Sequence, residues 1–167
     1  MNFHPLIVHF PIVLLSIYCI LEIITSFVYK NHIQLLRAKK RCLWIGTISL
    51  FPSFASGESA EDILWKSKLI HLHEEFAEIM RNLFIIISII YLFNETRYLS
   101  PLTQKILWII GINNLSRIYR YVYKYKILCI LAIWGFIMMT WVGALWWAIT
   151  RGTDHDPIAR WIIEQAE

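Results

Sequence analysis

The sequence predicts an all-α integral membrane protein: a four-helix bundle with an additional short interfacial helix between helices three and four. Hydrophobic residues make up 57% of the 167 residues and charged residues 17%, whereas soluble domains have about 45–50% and about 25%. A soluble domain of this length could not bury so much apolar surface. The apolar residues fall into four long segments, and most basic residues lie between them. We expect one transmembrane domain over residues 1–167.

The first two predicted helices cover residues 6–28 and about 35–55. The first is 23 residues long and would extend for about 35 Å, enough to cross a bilayer. No Lys or Arg precedes it, so we interpret it as a membrane helix rather than a cleaved signal. The second is the weakest of the four, because Gly46 and Pro52 interrupt its apolar run. A basic amphipathic stretch over 33–41 extends it backward.

The third and fourth predicted helices cover residues 73–93 and 127–149, and the fourth has the strongest apolar signal. Between them, residues 106–112 are apolar but too short to span a bilayer. We therefore predict an interfacial or re-entrant helix there. The sequence shows neither an internal repeat nor a low-complexity linker.

Basic residues predict the orientation of the bundle. Eleven of the 16 Lys and Arg residues lie in the connecting segments 30–42 and 94–126, which the positive-inside rule places in the cytoplasm. We therefore expect a multi-pass protein of the bacterial inner membrane with both termini in the periplasm. The run Arg117–Lys126 alternates Tyr with basic residues, and we interpret it as an interfacial belt contacting lipid rather than nucleic acid.

The histidines predict a cofactor site near the outer face. Five of the six fall at that end of the predicted bundle, and the exception is His32. His9 lies about one turn inside the boundary, whereas His4 lies about 140° away around the helix. His71 and His73 open helix three and point about 200° apart. One histidine from helix one can therefore face one from helix three at matching depth.

Two facing histidines can hold a b-type haem in a membrane bundle. We predict His9 and His73 as the ligands of the haem iron, with His4 as a third cofactor-binding residue near a propionate or a second site. The alternative is that these histidines only bond backbone or lipid headgroups, and for His155 and His4 that alternative is the stronger. Pro11 should kink helix one near His9.

Acidic residues suggest further sites. Glu74 and Glu75 suit a helix N-terminus, and Glu78 is predicted to pair with Arg81. Glu22 has no obvious partner in the sequence and is the stronger candidate for proton handling, although snorkelling could also explain it. The segment 56–62 carries three carboxylates that could bind a hard metal, but a solvated loop is the simpler interpretation.

The residues His4–Ile12 resemble the opening of a bacterial membrane family, domain of unknown function 2231, whose pattern reads H-P-x-x-V-H-F-P-[IV]. Ser56–Gly57, His73–Glu74 and the region from Gly143 to Gly152 are also similar to family positions. The resemblance implies a four-helix membrane unit in a redox setting, with His4, His9 and His73 as functional positions. The basic and aromatic segment from about Asn94 to Lys126 departs from the family pattern.

Two main functions follow from these patterns. The first is a membrane electron-transfer protein that binds haem b through His9 and His73 and exchanges electrons with quinol or with a membrane or periplasmic redox protein. The second is a non-catalytic subunit or assembly factor of a larger respiratory complex. A non-haem His/carboxylate metal site is a further alternative. We expect the chain to work in a complex or as a homo-oligomer. The sequence predicts no particular catalytic residue.

Overall fold

The structure, a computed structural model, describes residues 4–28, 32–61, 68–95 and 126–151, and it is helical almost throughout them. The helices are α1 (His4–Phe27), α2 (Ile33–Glu61), α3 (Lys68–Glu95) and α4 (Ile127–Arg151). The described part of the chain contains no strand. The predicted all-α four-helix bundle is confirmed at this level.

The helix bounds differ from the prediction mainly in α2 and α3. The predicted loop over 56–62 is wrong, because α2 continues through Glu61. Serine hydroxyls bond back to carbonyls of the same helix, from Ser53 to Ser49 at 2.9 Å and from Ser56 to Ser53 at 2.8 Å. This back-bonding satisfies the polar side chains without ending the helix. Helix α3 begins at Lys68 rather than at residue 73, and the predicted interfacial helix at 106–112 lies outside the described residues.

The helices alternate in direction. Side chains late in α1 contact those early in α2 and late in α3, whereas side chains early in α1 share a cavity with the start of α3 and the end of α4. We call these two ends of the bundle the basic end and the cavity end. The basic end contains the last turns of α1 and α3 and the first turns of α2 and α4. The cavity end contains the opposite termini.

Each helix of the bundle packs against two others, and the interfaces differ in extent. Helices α1 and α2 make the most extensive interface, and α2 and α3 the smallest of the main ones. Gly46 of α2 lies so close to α1 that an added Cβ would be 2.8 Å from the Leu15 side chain. Gly135 of α4 approaches α3 equally closely, with a Cβ position 2.8 Å from the Phe84 ring. Glycines thus allow close approach of α2 to α1 and of α4 to α3, while α1 also packs against α4 over an interface almost as extensive as that between α3 and α4.

The core is mainly apolar with a few polar side chains buried in it, and large apolar side chains are also exposed on the outside of the bundle. The buried polar residues are Glu22, Thr25, Lys39, Thr47, Ser53 and Ser88. Each helix exposes large apolar residues, including Val13 and Ile17 of α1, Ile48 of α2, Ile86 of α3 and Ile137 of α4. Within the described residues, two segments are long and apolar enough to cross a membrane, Leu6–Phe27 and Ile127–Trp147. Helices α2 and α3 carry more charged residues and are not among them.

Candidate functional site

A cavity of about 390 Å³ lies at the cavity end, and all four helices line it. Its apolar wall includes Pro11 of α1, Phe54 of α2 and Val142 and Trp146 of α4. Small-molecule sites have volumes of about 300–1,000 Å³ and combine apolar walls with a few polar groups. The cavity has the size and the character of such a site.

One helix supplies almost all of the polar wall. The side chains of α3 that line the cavity include His71, His73, Glu74, Glu75, Glu78 and Arg81. His71, Glu74, Glu75, Glu78 and Arg81 recur at intervals of three or four residues and share one face of α3, whereas His73 lies beside that face. Helical spacing predicts that His71 and His73 point to opposite sides of the helix, but both line this cavity.

The two histidines differ in their surroundings. His73 is half-buried, and its ring centroid lies 5.7 Å from that of Trp146, with the planes at 45°. His71 stands at the exposed mouth, where its side chain is 77% exposed and its Nδ1 is 3.8 Å from Glu75 Oε1. His73 is therefore the histidine that an occupant of the cavity interior would meet.

Two of the charges lining the cavity form an ion pair within its wall. Arg81 donates a 3.0 Å hydrogen bond to Glu78 Oε1, which confirms the predicted pairing. The Arg81 guanidinium also lies over the Phe54 ring, 4.4 Å from its centroid. Glu75 lies beside His71 and Glu74 also lines the cavity, so the wall contains three carboxylates and one guanidinium.

The structure does not bring His9 to the cavity. Val8, Pro11 and Ile12 form the face of α1 that lines it, whereas His9, one residue from Val8, lies on the exposed side. Successive residues on a helix are about 100° apart, which separates the two directions. His4 begins α1, and the structure does not describe its side chain. His155 lies outside the described residues.

A second polar centre is buried at the basic end. Glu22 is 1% exposed and Lys39 is 3% exposed, and Lys39 Nζ lies 3.0 Å from Glu22 Oε2. Lys39 also donates a 2.9 Å hydrogen bond to Thr25 Oγ1, and Tyr91 of α3 donates to the same Glu22 oxygen. We call Glu22, Lys39, Thr25 and Tyr91 the buried polar cluster.

The partners of Glu22 are not predicted by the sequence. The pattern of basic residues assigns Lys39 to a cytoplasmic segment and leaves the carboxylate without a partner, whereas the structure pairs the two inside the bundle. A signal was available: Lys39, Leu43 and Leu50 follow the spacing of one helix face, and the structure buries that face. Nothing in the sequence pointed to Tyr91, which lies 69 positions from Glu22.

Among the described side chains, no group of three or more His, Cys, Asp or Glu residues is placed to hold a metal ion. The carboxylates at Glu58, Glu61 and Asp62 fall outside the described side chains. Comparison with protein-family models, curated proteins and solved structures gave no match. The resemblance to domain of unknown function 2231 therefore stays a prediction.

Proposed function

We propose that the protein is a multi-pass membrane protein of the bacterial inner membrane, with the cavity end and both termini in the periplasm. The exposure of large apolar side chains on every helix supports this placement. Large apolar residues stand exposed on all four helices, while an ion pair and several hydroxyls are buried between them. Water would penalise that apolar surface, whereas lipid solvates it. Arg37, Arg41 and Lys126 at the basic end agree with a cytoplasmic location.

Within that membrane protein, the proposed function is binding of a quinone or quinol in the cavity. The observation that carries this proposal is the lining of the cavity: apolar walls from all four helices around one polar face on α3. A quinone has an apolar body and a neutral polar head. The carboxylates of Glu74 and Glu75 disfavour an anion, and the Arg81 guanidinium is already paired with Glu78.

The chemistry available to such a ligand is hydrogen bonding and proton exchange at its head. The His73 imidazole can donate to a quinone oxygen or accept from a quinol hydroxyl. Trp146, beside His73, offers a flat surface for the ring. Electron exchange with a separate redox protein is the activity that this binding would serve.

Tryptophan fluorescence tests the proposal. A short-chain quinone titrated into the detergent-solubilised protein should quench Trp146, which lines the cavity. Trp146→Phe should remove most of the quenched signal, whereas Trp134→Phe should not, because Trp134 is 58% exposed on the outside of α4. His73→Ala should weaken binding about tenfold, the loss expected for one good hydrogen bond. Equal quenching of both Trp variants would contradict cavity binding.

Haem b is the second candidate, and the presence of His73 in an apolar cavity favours it. His73 would supply one axial ligand there, whereas the second predicted ligand, His9, lies on the exposed side of α1 and is not part of the cavity lining. The pair of His9 and His73 therefore stays a prediction. A reduced-minus-oxidised absorption spectrum decides the matter. If both ligands are nevertheless used, His9→Ala and His73→Ala should each abolish low-spin haem, and His71→Ala should leave it intact.

Two further measurements address the remaining alternatives. A non-haem metal at His and carboxylate groups would be detected by elemental analysis of the purified protein. A protein with neither quinone quenching, haem absorption nor bound metal would favour the non-catalytic subunit or assembly factor. Co-purification from the native membrane would then identify the complex to which it belongs.

A further inference from the structure

We propose that protons pass through the interior of the bundle, between the basic end and the cavity, along the buried polar cluster, Tyr18, the pair of Thr47 and Ser88, and Ser53. We call this series of groups the polar path. The inference rests on the proposed function, because it names the side of the membrane that supplies protons to a quinone in the cavity. It follows from the positions of the buried polar side chains and from one buried hydroxyl without a partner.

Buried polar side chains are found at three levels of the bundle. Glu22 and Lys39 belong to the basic end. Thr47 of α2 and Ser88 of α3 lie nearer the middle, with their hydroxyl oxygens 2.9 Å apart. Ser53 of α2 lines the cavity. Polar groups in a membrane interior cost free energy that apolar residues would not, and they tend to mark routes for ions or protons.

Tyr18 lies between the basic end and the middle of the bundle. It is one helical turn from Glu22, on the side of the cavity, and it is fully buried. Its ring packs edge-on against the rings of Tyr91 and Phe84, with centroids 6.2 and 6.4 Å away. The Tyr18 hydroxyl has no hydrogen-bond partner in the described part of the chain, and it is close enough to Glu22 to interact with it electrostatically.

A water molecule is the partner that suits the Tyr18 hydroxyl. A buried hydroxyl without a partner costs free energy that Phe, with the same ring, would avoid. A buried water needs two to four polar partners, and Tyr18 with the adjoining Tyr91 and Glu22 offers three. Because a hydroxyl can donate and accept at once, its oxygen can take a proton from one neighbour while it releases its own to the next. One O–H bond forms as another breaks, and no oxidant is required.

The two oxygens of Glu22 face opposite directions along the polar path. Oε1 accepts a hydrogen bond at 3.5 Å from half-buried Ser26, in the last turns of α1. Oε2 pairs with Lys39 and accepts from Tyr91 in the interior. The carboxylate can therefore gain a proton on the side of the basic end and pass one on toward Tyr18.

Apolar side chains separate the middle of the polar path from the cavity. Leu15 and Phe84 are fully buried at this level, and beyond them Ser53 donates at 2.9 Å to the Ser49 carbonyl. Protons cross this layer when water enters it from the cavity. The polar path therefore supports a slow flux rather than an open channel.

Proton flux into liposomes tests the polar path without quinone. The full-length protein is reconstituted with a pH-sensitive dye inside, and a potassium diffusion potential set by valinomycin drives protons inward. Wild-type protein should acidify the interior faster than protein-free liposomes do. Tyr18→Phe should lower the protein-dependent rate about tenfold, the effect of one lost hydrogen-bonded link. Ser88→Ala should lower it as well, and this variant carries the test if Tyr18→Phe does not reconstitute.

Two controls distinguish proton transfer from a merely structural role. Tyr18→Phe removes no hydrogen bond between described side chains, so in detergent it should unfold at the wild-type temperature or above. Thr140→Val should leave the flux unchanged, because that exposed hydroxyl donates to the Phe136 carbonyl of its own helix, at 2.8 Å. An equal loss of flux in Thr140→Val would mean that protons do not follow the interior, and would overturn the proposal.

The outcomes also separate this proposal from quinone binding. A wild-type flux no faster than that of protein-free liposomes would overturn the polar path, as would an unchanged rate in Tyr18→Phe. Quenching of Trp146 by quinone would leave quinone binding standing in both cases. An absence of quenching would overturn quinone binding, whereas a flux that Tyr18→Phe lowers would still support the polar path.

Discussion

At the scale of single residues, Glu22 connects three helices of the bundle. It accepts hydrogen bonds from Tyr91 and Ser26 and pairs with Lys39, so it contacts groups from three helices through one carboxylate. Buried ion pairs contribute little compared with well-packed apolar residues, but removal of one partner leaves an uncompensated charge in an apolar interior. Replacing both Glu22 and Lys39 by uncharged residues should therefore destabilise the fold less than replacing only one of them.

This asymmetry gives a double-mutant prediction. Glu22→Gln and Lys39→Met should each lower the free energy of unfolding by about 3–5 kcal/mol. The double variant should be clearly more stable than the sum of the two losses implies. Thermal unfolding in detergent measures all three, and Glu75→Gln is the matched control, because that carboxylate is 62% exposed beside His71. Additive losses would mean that Glu22 and Lys39 act independently.

At the scale of helices, the two glycine contacts set how closely α2 packs on α1 and α4 on α3. A Cβ at Gly46 would approach Leu15 to 2.8 Å and Leu14 to 3.3 Å, whereas a Cβ at Gly143 of α4 would meet nothing within 4 Å. Three glycines in similar helices thus face different surroundings. Helix propensity favours Ala over Gly at all three positions. Any difference among the three Ala variants therefore reports on packing.

We expect Gly46→Ala and Gly135→Ala to lower the free energy of unfolding by about 1–3 kcal/mol, the cost of overpacking a tight interface. Gly143→Ala should instead be neutral or raise it by up to about 1 kcal/mol. Unfolding in detergent again provides the measurement. Stabilisation at Gly46 similar to that at Gly143 would mean that α1 and α2 pack less tightly than the structure describes.

At the scale of the whole molecule, sidedness is the property to establish. The proposed orientation exposes His71 to the periplasm and Arg41, on the exposed face of α2, to the cytoplasm. In a cysteine-free background, His71→Cys should react with an impermeant thiol reagent on intact cells. Arg41→Cys should react only after the membrane is permeabilised. The reverse pattern would place the cavity on the cytoplasmic side.

The sequence predicts part of this architecture, and there are physical reasons why it does not predict the rest. The apolar runs predict the ends of α1 and α4 to within two residues, because a long hydrophobic run is enough by itself to identify such a helix. The end of α2 was missed, because its Ser and Glu residues resemble a loop until their hydroxyls bond back to the helix. The sequence predicts the Glu78–Arg81 ion pair, because the two residues are three positions apart on one helix. The hydrogen bond from Tyr91 to Glu22 joins two helices and depends on tertiary packing.

In the proposed membrane placement, the pairing of Glu22 with Lys39 also bears on how the chain would enter the bilayer. A lone Lys or acidic side chain costs about 2.5–3.5 kcal/mol at the centre of an inserting helix and less toward its ends, where Glu22 and Lys39 lie. Helix α2 carries more charged residues than α1 and is not among the segments apolar enough to cross a membrane by themselves. Helix α1 is synthesised first and already carries the carboxylate that neutralises Lys39. The two helices are separated by a short connection, so they can leave the insertion machinery together as a hairpin. The ion pair that holds the finished bundle would thus also act as the signal by which α1 recruits α2 into the bilayer.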